Sequence, residues 1–293
     1  MHIVYVSDGK AGHRSQAVGL YKAMQRQSAD EVTFEEILID QLPIFSLFSA
    51  ILKKNIAALK QPPDYVFGVG SHTQLRVLLL GKVFPQAKTV ILMKPNFPVT
   101  WFDYAIIPEH DDVEASEHVI TTQGALNPIV NEQRHQPNRF LIALGGSSKR
   151  HHWNEEKVLN AIQQIVNLHP QAEIILTTSR RTPKEFLAHL NEKSFKSQLK
   201  IFPVEKTPQG WIFEEMQKAE AVWVTEDSVS MIFEALTAGC QVGIIEIDRL
   251  KSDRITQLLD QLLTQALLGE NKVKLLNLQL DEATRVAHIL LKT

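Results

Sequence analysis

A single cysteine, Cys240, stands in 293 residues. A disulfide within the chain is excluded, and a reducing compartment is the simple expectation. Long apolar runs are missing as well: no stretch reaches the roughly 18 residues that would cross a bilayer. No signal-peptide pattern precedes the first apolar run, residues 3–6, so a cytoplasmic location is expected. Charge of one sign is also lacking, and a formal net charge of −2 gives no electrostatic case for binding nucleic acid. No further histidine or cysteine stands at ligand spacing from His110, Asp111 and Asp112, so no metal site is expected. What remains, 44% apolar and 22% charged, is ordinary for a globular protein long enough for two domains with full cores.

Short apolar runs alternate with helix-like segments. Strand candidates are residues 2–7, 32–38, 65–70, 89–94, 104–108 and 118–123, with helix patterns such as 15–27 and 73–84 between them. The polar stretch 127–139, which carries prolines and no periodicity, reads as a linker. Strands then recur at 140–148, 172–179, 199–204, 221–226 and 241–247, with helices at 154–168, 183–193, 211–219, 228–239 and 252–265. This alternation predicts an α/β fold with parallel sheets covered on both faces. The expected domains are 1–130 and 138–275, and the tail 276–293 is expected to form a helix that packs back on the N-terminal domain. The segment LPIFSLFSAILKK (42–54) is the most apolar stretch with a basic end. It reads either as a core helix or loop against the sheet or as an interfacial helix in peripheral contact with a membrane.

Ligands of open parallel sheets bind beyond the C-terminal strand ends, so the loops directly after strands carry the chemistry. The first is SDGKAGHRSQ (7–16), where Gly9 and Gly12 permit a tight turn and Asp8, Lys10 and His13 are chargeable. His13 has the only ordinary pKa in this loop suited to proton transfer near neutrality. GVGSHTQ (68–74) is another glycine turn, at Gly70, with Ser71 or Thr73 as the expected helix cap. Lys94 opens a polar loop over 94–112.

In the second half, LGGSSKRHH (144–152) offers Gly145, Gly146, Ser147 and Lys149 as a diphosphate cradle of amides, hydroxyls and cation. The spacing is not that of a P-loop ATPase. TTSRRTP (177–183) adds Ser179 and Arg180. VTEDSVSMIFEALTAG (224–239) runs a strand through Thr225 into Asp227, Ser228 and Ser230 at a helix start. By i, i+4 spacing Glu226, Ser230 and Glu234 are expected on one helix face, amides for phosphate and acid for ribose hydroxyls.

Taken in order, SDGKAGH, KP–FD–IIPEHD, TQGALN (122–127), LGGSSK, TTSRRTP and TEDSVSMIFEALTAG resemble the mitochondrial fission ELM family, whose bacterial members are described as glycosyltransferases. The resemblance implies a GT-B architecture: two Rossmann-like domains facing across a cleft, the C-terminal one holding a nucleotide-sugar and the N-terminal one the acceptor. It places Glu234 at the ribose. GKAGH is similar to the glycine-rich first loop of lipid-intermediate GlcNAc transferases, which makes His13, or Asp8, the candidate catalytic base. The donor side would then comprise Gly145, Gly146, Ser147, Lys149, Ser179, Arg180, Thr225, Glu226, Asp227, Ser228, Ser230 and Glu234. The acceptor side would comprise Gly9, Lys10, Gly12, Gly70, Ser71 and Lys94. The implied activity is metal-independent glycosyl transfer to a hydroxyl of a bacterial surface glycan or lipid-linked saccharide. The nucleotide-sugar is a substrate, and no cofactor or nucleic acid is expected. Glu226 and Glu234 also show the Glu-x7-Glu spacing of some retaining GT-B enzymes, so the stereochemistry stays open. The alternatives are a nucleotide-sugar epimerase of the same fold and a non-catalytic fission or scaffold-type binding protein.

Overall fold

The computed structural model describes residues 1–265, 267–268, 274–276 and 278–292. The chain forms two compact units, Met1–Pro128 with Asp281–Thr293, and Ile129–Leu280.

The first unit runs β1 (His2–Ser7), α1 (Ala11–Gln27), β2 (Thr33–Leu38), α2 (Ile44–Lys53), β3 (Tyr65–Val69), α3 (Gln74–Val83), β4 (Lys88–Leu92), β5 (Tyr104–Pro108) and β6 (Val119–Thr122). Its sheet is parallel, in the order β2-β1-β3-β4-β5-β6. Side chains alternate between the faces of a strand, and here both faces are covered. Ile3 and Tyr5 of β1 therefore enter one buried layer with Leu20 and Met24 of α1. Val4 and Val6 enter the opposite layer with Leu47 of α2 and Val77 and Leu80 of α3. This double burial makes the run continuous rather than alternating in sequence. Each such aliphatic side chain removed from water contributes about 1.5–3 kcal/mol.

The second unit contains β7 (Gln136–Ala143), β8 (His151–His152), α4 (Glu155–Leu168), β9 (Glu173–Thr177), α5 (Phe186–Asn191), β10 (Leu199–Phe202), α6 (Trp211–Lys218), β11 (Ala219–Thr225), α7 (Val229–Thr237), β12 (Gln241–Ile245), β13 (Asp248–Arg249) and α8 (Arg254–Gln265). Its main sheet is parallel, in the order β10-β9-β7-β11-β12. The short β8 and β13 pair antiparallel beside it. Helix α4 starts on a side-chain cap, the Asn154 carbonyl accepting from the Lys157 amide, with Glu155 and Glu156 in the first turn. Helix α9 (Glu282–Lys292) belongs to the first unit, where Ala283, Val286, Ala287 and Leu290 join the layer of α1.

The strand orders decide where ligands belong. In each sheet the first strand of the unit lies inside, and the chain's direction of travel across the sheet reverses beside it. Those switch points fall between β1 and β3 and between β7 and β11. Loops diverge there at the C-terminal strand ends and leave room for a ligand.

Segment 42–54 is now resolved as α2, with Leu47 and Ala50 buried. It is a helix of the sheet's cover whose outer face is also apolar. Helix α1 starts at Ala11, four residues before the expected start, which carries Gly12 and His13 out of the loop and into a helical turn.

Candidate functional site

At the β1/β3 switch point the chain leaves β1 through Asp8, Gly9 and Lys10. Gly9 has φ +77°, a left-handed conformation natural to glycine. The Asp8 side chain is only 3% exposed. It accepts from Lys10 Nζ at 3.0 Å and from the Lys10 amide at 3.3 Å, and each carboxylate oxygen lies 3.0 Å from His13 Nδ1. Burial opposes ionisation of Asp8, but hydrogen bonds from the Lys10 ammonium and amide and from His13 outweigh it and hold the carboxyl below its ordinary range. With Nδ1–H donated to that carboxylate, His13 presents its Nε2 lone pair outward, and Nε2 meets no partner among the described residues. The ring rests on Gly70, which follows β3: a Cβ there would stand 2.5 Å from His13 Cε1. Gly70 also has φ +77°.

Other residues expected on this side are placed differently. Gly12 makes no turn; it lies in the first turn of α1, and a Cβ on it would meet nothing within 4 Å. Neither Ser71 nor Thr73 caps α3 through its side chain. Thr73 is the N-cap residue, but its hydroxyl donates to the carbonyls of Val69 at 3.3 Å and Gly70 at 3.0 Å, pinning the glycine turn under His13. Ser71 is exposed. Lys94 Nζ is engaged by the Asp111 carbonyl at 3.0 Å. Because Gly12 sits unhindered in a helix, Gly12→Ala is expected to stabilise the first unit by about 0.5–1 kcal/mol and to leave any activity unchanged. A higher melting temperature with unaltered kcat/KM checks this.

At the β7/β11 switch point the second unit brings three loops together. The Gly145 amide donates to Thr225 Oγ1 at 2.6 Å, and the Gly146 amide to Asp227 Oδ2 at 3.1 Å. The Gly145 carbonyl accepts from Ser179 Oγ at 3.0 Å and Thr182 Oγ1 at 2.5 Å. Arg181 places Nη1 2.7 Å from Asp227 Oδ2 and Nη2 3.0 Å from Ser228 Oγ. The Asp227 side chain is fully buried, and its Oδ1 meets no donor among the described residues. Gly145 and Gly146 are required by size: a Cβ on Gly145 would stand 2.3 Å from Asp227 Oδ2, and one on Gly146 2.1 Å from the Arg181 carbonyl oxygen.

Two expectations change here. The Gly145 and Gly146 amides do not point at a phosphate; the chain itself takes them. In the first turn of α7 the amides of Val229, Ser230 and Met231 meet no acceptor among the described residues, and Ser228, its N-cap, makes no side-chain cap bond. Nor does Glu226 share a helix face with Ser230 and Glu234. Helix α7 begins only at Val229, so the i, i+4 relation fails. Glu226 lies at the strand end with its amide on the Ile245 carbonyl, and its buried carboxylate pairs with Arg249 and lies 3.8 Å from His151 Nε2.

Ser147 Oγ is taken by the Trp153 amide at 3.1 Å. Lys149 and Arg180 are exposed and carry no ion pair among the described residues. The sequence offered Arg180 and Arg181 side by side, and only the turn, closed by the Thr182 amide on the Ser179 carbonyl at 3.1 Å, selects Arg181 for Asp227. Arg249 sits in no motif, and His151, although inside LGGSSKRHH, carried no signal for this role. Among the described residues no group of three or more His, Cys, Asp or Glu could hold a metal ion.

Glu234 lies in α7, partly buried, and burial pushes its carboxyl up to about 7. The folded chain therefore holds this proton more tightly than the unfolded chain. The resulting stability is full below the ordinary glutamate range and is lost as pH rises through about 7. Melting temperature measured across that window should fall more steeply for the wild type than for Glu234→Gln.

The sequence profile described as mitochondrial fission ELM1 matches residues 11–293. The chain belongs to the mitochondrial fission ELM1 family. A relative, the uncharacterized protein RP120 of Rickettsia prowazekii (strain Madrid E), is 25% identical over 99% of this chain and 98% of its own. Among solved structures, the chain is similar to the UDP-GlcNAc 2-epimerase of Methanocaldococcus jannaschii, with TM-score 0.51 and 14% identity over all of both chains. It is similar to Acinetobacter baumannii MurG, with TM-score 0.51 and 14% identity over 100% of this chain and 99% of that one. Phytolacca americana UGT2, solved with UDP-2-fluoro-glucose and pterostilbene, matches at TM-score 0.51 and 8% identity over 99% and 89%. This ELM1-family chain thus has the α/β fold of GT-B glycosyltransferases and UDP-GlcNAc 2-epimerases, and no helix among its described residues is long and apolar enough to cross a membrane.

Proposed function

We propose that this ELM1-family protein transfers a sugar from a nucleotide-sugar to an acceptor hydroxyl, on a surface glycan or a lipid-linked saccharide. The observation that carries the reading is the β7/β11 switch point. There the first-turn amides of α7 lack acceptors among the described residues, beside the Arg181–Asp227–Ser228 set. A helix N-terminus with a neighbouring guanidinium is suited to a diphosphate. MurG and UGT2, which share the fold, support the choice of reaction.

In this reading the second unit holds the donor's diphosphate on the α7 amides, with Arg181, Lys149 and Arg180 supplying positive charge. The first unit holds the acceptor near His13. Nε2 takes the proton of the acceptor hydroxyl while Asp8 stabilises the resulting imidazolium. The hydroxyl oxygen bonds to the anomeric carbon, the bond from that carbon to the diphosphate oxygen breaks, and the nucleoside diphosphate leaves with the electron pair. Amides and cations take up the charge on the leaving group, so the reading needs no metal.

A thermal-shift or calorimetric panel of UDP-, GDP-, ADP- and CMP-sugars tests it. Binding to the native state stabilises by about 2.7 kcal/mol at a ligand concentration of one hundred times Kd. One nucleotide class should raise the melting temperature, and Lys149→Ala, at an exposed position, should weaken that effect about tenfold in affinity. No response to any nucleotide-sugar would remove the proposal and favour a scaffold role.

Epimerisation is the second reading, because the likeness to the M. jannaschii 2-epimerase equals that to MurG in TM-score. Incubating each bound nucleotide-sugar without acceptor separates the two: conversion to its epimer decides for epimerisation.

A further inference from the structure

From the two apolar faces of α2 we infer that this helix docks on an anionic lipid bilayer surface. Leu47 and Ala50 face the core, with Ile44 and Ile51 packed against the same layer. On another side of the helix Phe45 and Leu52 are each 89% exposed and Phe48 is 54% exposed. At 100° per residue, positions 45, 48 and 52 form one stripe, centred about 100° around the helix from the buried stripe of 44, 47 and 51. A surface helix normally carries polar residues there. The other exposed residues of α2 are Ser46, Ser49 and Lys53. Leu38, at the end of β2, is exposed as well, opposite Ser7 in register and so one residue from Asp8.

Charge selects the occupant. From 37 to 63 the one acidic residue is the exposed Asp40, against the basic Lys53, Lys54 and Lys60. All three lysine residues are exposed, and none is ion-paired among the described residues. Phenylalanine and leucine that enter the acyl boundary, flanked by lysines that reach phosphate headgroups, match an anionic membrane surface. A protein partner would be expected to find directional polar groups on this face, and only two serines are offered. The inference is independent of the transferase reading. If both hold, the membrane-facing helix follows β2 from the C-terminal edge of the sheet, the same edge at which α1 begins with His13 in its first turn and where a lipid-linked acceptor would be presented.

The test is flotation of the purified full-length chain with phosphatidylcholine vesicles, with and without phosphatidylglycerol. The chain should float with the anionic vesicles, more weakly as salt rises, and stay behind with pure phosphatidylcholine. Phe45→Ser/Phe48→Ser/Leu52→Ser should lower partitioning about a hundredfold or more. Its melting should match the wild type, since these side chains lie outside the core. Lys53→Glu/Lys54→Glu should lower partitioning at least about 30-fold, and it decides the matter if the triple variant fails to fold. The inference is overturned if the wild type does not float, if either variant floats as the wild type does, or if binding ignores lipid charge. It also fails if sedimentation equilibrium shows a dimer that the triple variant dissolves while vesicles are not bound, because a second copy would then cover the face.

Discussion

His13→Ala is expected to lower kcat by about 10²- to 10⁴-fold, the range for loss of a general base, while the Kd for the nucleotide-sugar stays at the wild-type value. The split follows from placement. His13 belongs to the first unit, and the residues proposed to hold the donor belong to the second. Asp8→Asn should approach the same loss. An asparagine can turn its NH₂ toward Nδ1, which moves the ring proton to Nε2 and leaves no base where the acceptor would need one. Gly70→Ala should also impair turnover, since its Cβ would stand 2.5 Å from His13 Cε1 at a residue already at φ +77°. Single-turnover rates with donor affinity measured in parallel check all three. Unchanged turnover of His13→Ala in a competent assay removes this residue from the mechanism.

Gly146→Ala is expected to act on the other unit and on stability first. Its Cβ would lie 2.1 Å from the Arg181 carbonyl oxygen and 2.4 Å from the carbonyl carbon, so backbone must move. The 179–182 turn that would have to yield is held by the Thr182 amide on the Ser179 carbonyl and by the Ser179 amide on Thr182 Oγ1 at 2.9 Å. Displacing it draws Arg181 away from Asp227, whose carboxylate is fully buried. Overpacking combined with a weakened partner for a buried charge costs about 2–4 kcal/mol, allowing for the partial exposure of Arg181. Donor binding should be lost with the geometry. Denaturant titration of Gly146→Ala alongside Gly12→Ala gives the contrast. Both add one methyl to a glycine in a strand-end loop motif, one against backbone and one into open space. Equal behaviour of the two would contradict the placement of the 144–148 loop.

Much of the fold is legible in the sequence because parallel strands buried on both faces write themselves as short uninterrupted apolar runs. Residues 3–6, 65–69 and 140–144 are of that kind. Helix starts are less legible. Lys10 is an unusual N-cap residue and makes no side-chain cap bond, so nothing in SDGKAGH announces that α1 begins at Ala11. The face of α2 was ambiguous for a related reason: apolar residues on two sides of a helix leave no single stripe to read.

At the site, glycines after strands marked the loops that the switch points bring together, but spacing could not say which groups they use. The assumed i, i+4 relation of Glu226 to Ser230 required a helix that starts three residues too early. The choice between Arg180 and Arg181 depends on a turn, which adjacent identical residues cannot encode. Arg249 reaches Glu226 from 23 residues further on, a distance no local pattern spans.

The return of α9 to the first unit has a consequence for synthesis on the ribosome. Ala283, Val286, Ala287 and Leu290 belong to the layer of α1, and the Leu290 carbonyl accepts the Tyr65 hydroxyl at 2.8 Å. The half of the protein translated first is therefore the half completed last. Until α9 emerges from the exit tunnel, the layer it shares with α1 stays incomplete, and the second half can finish folding while the first still waits for its closing helix.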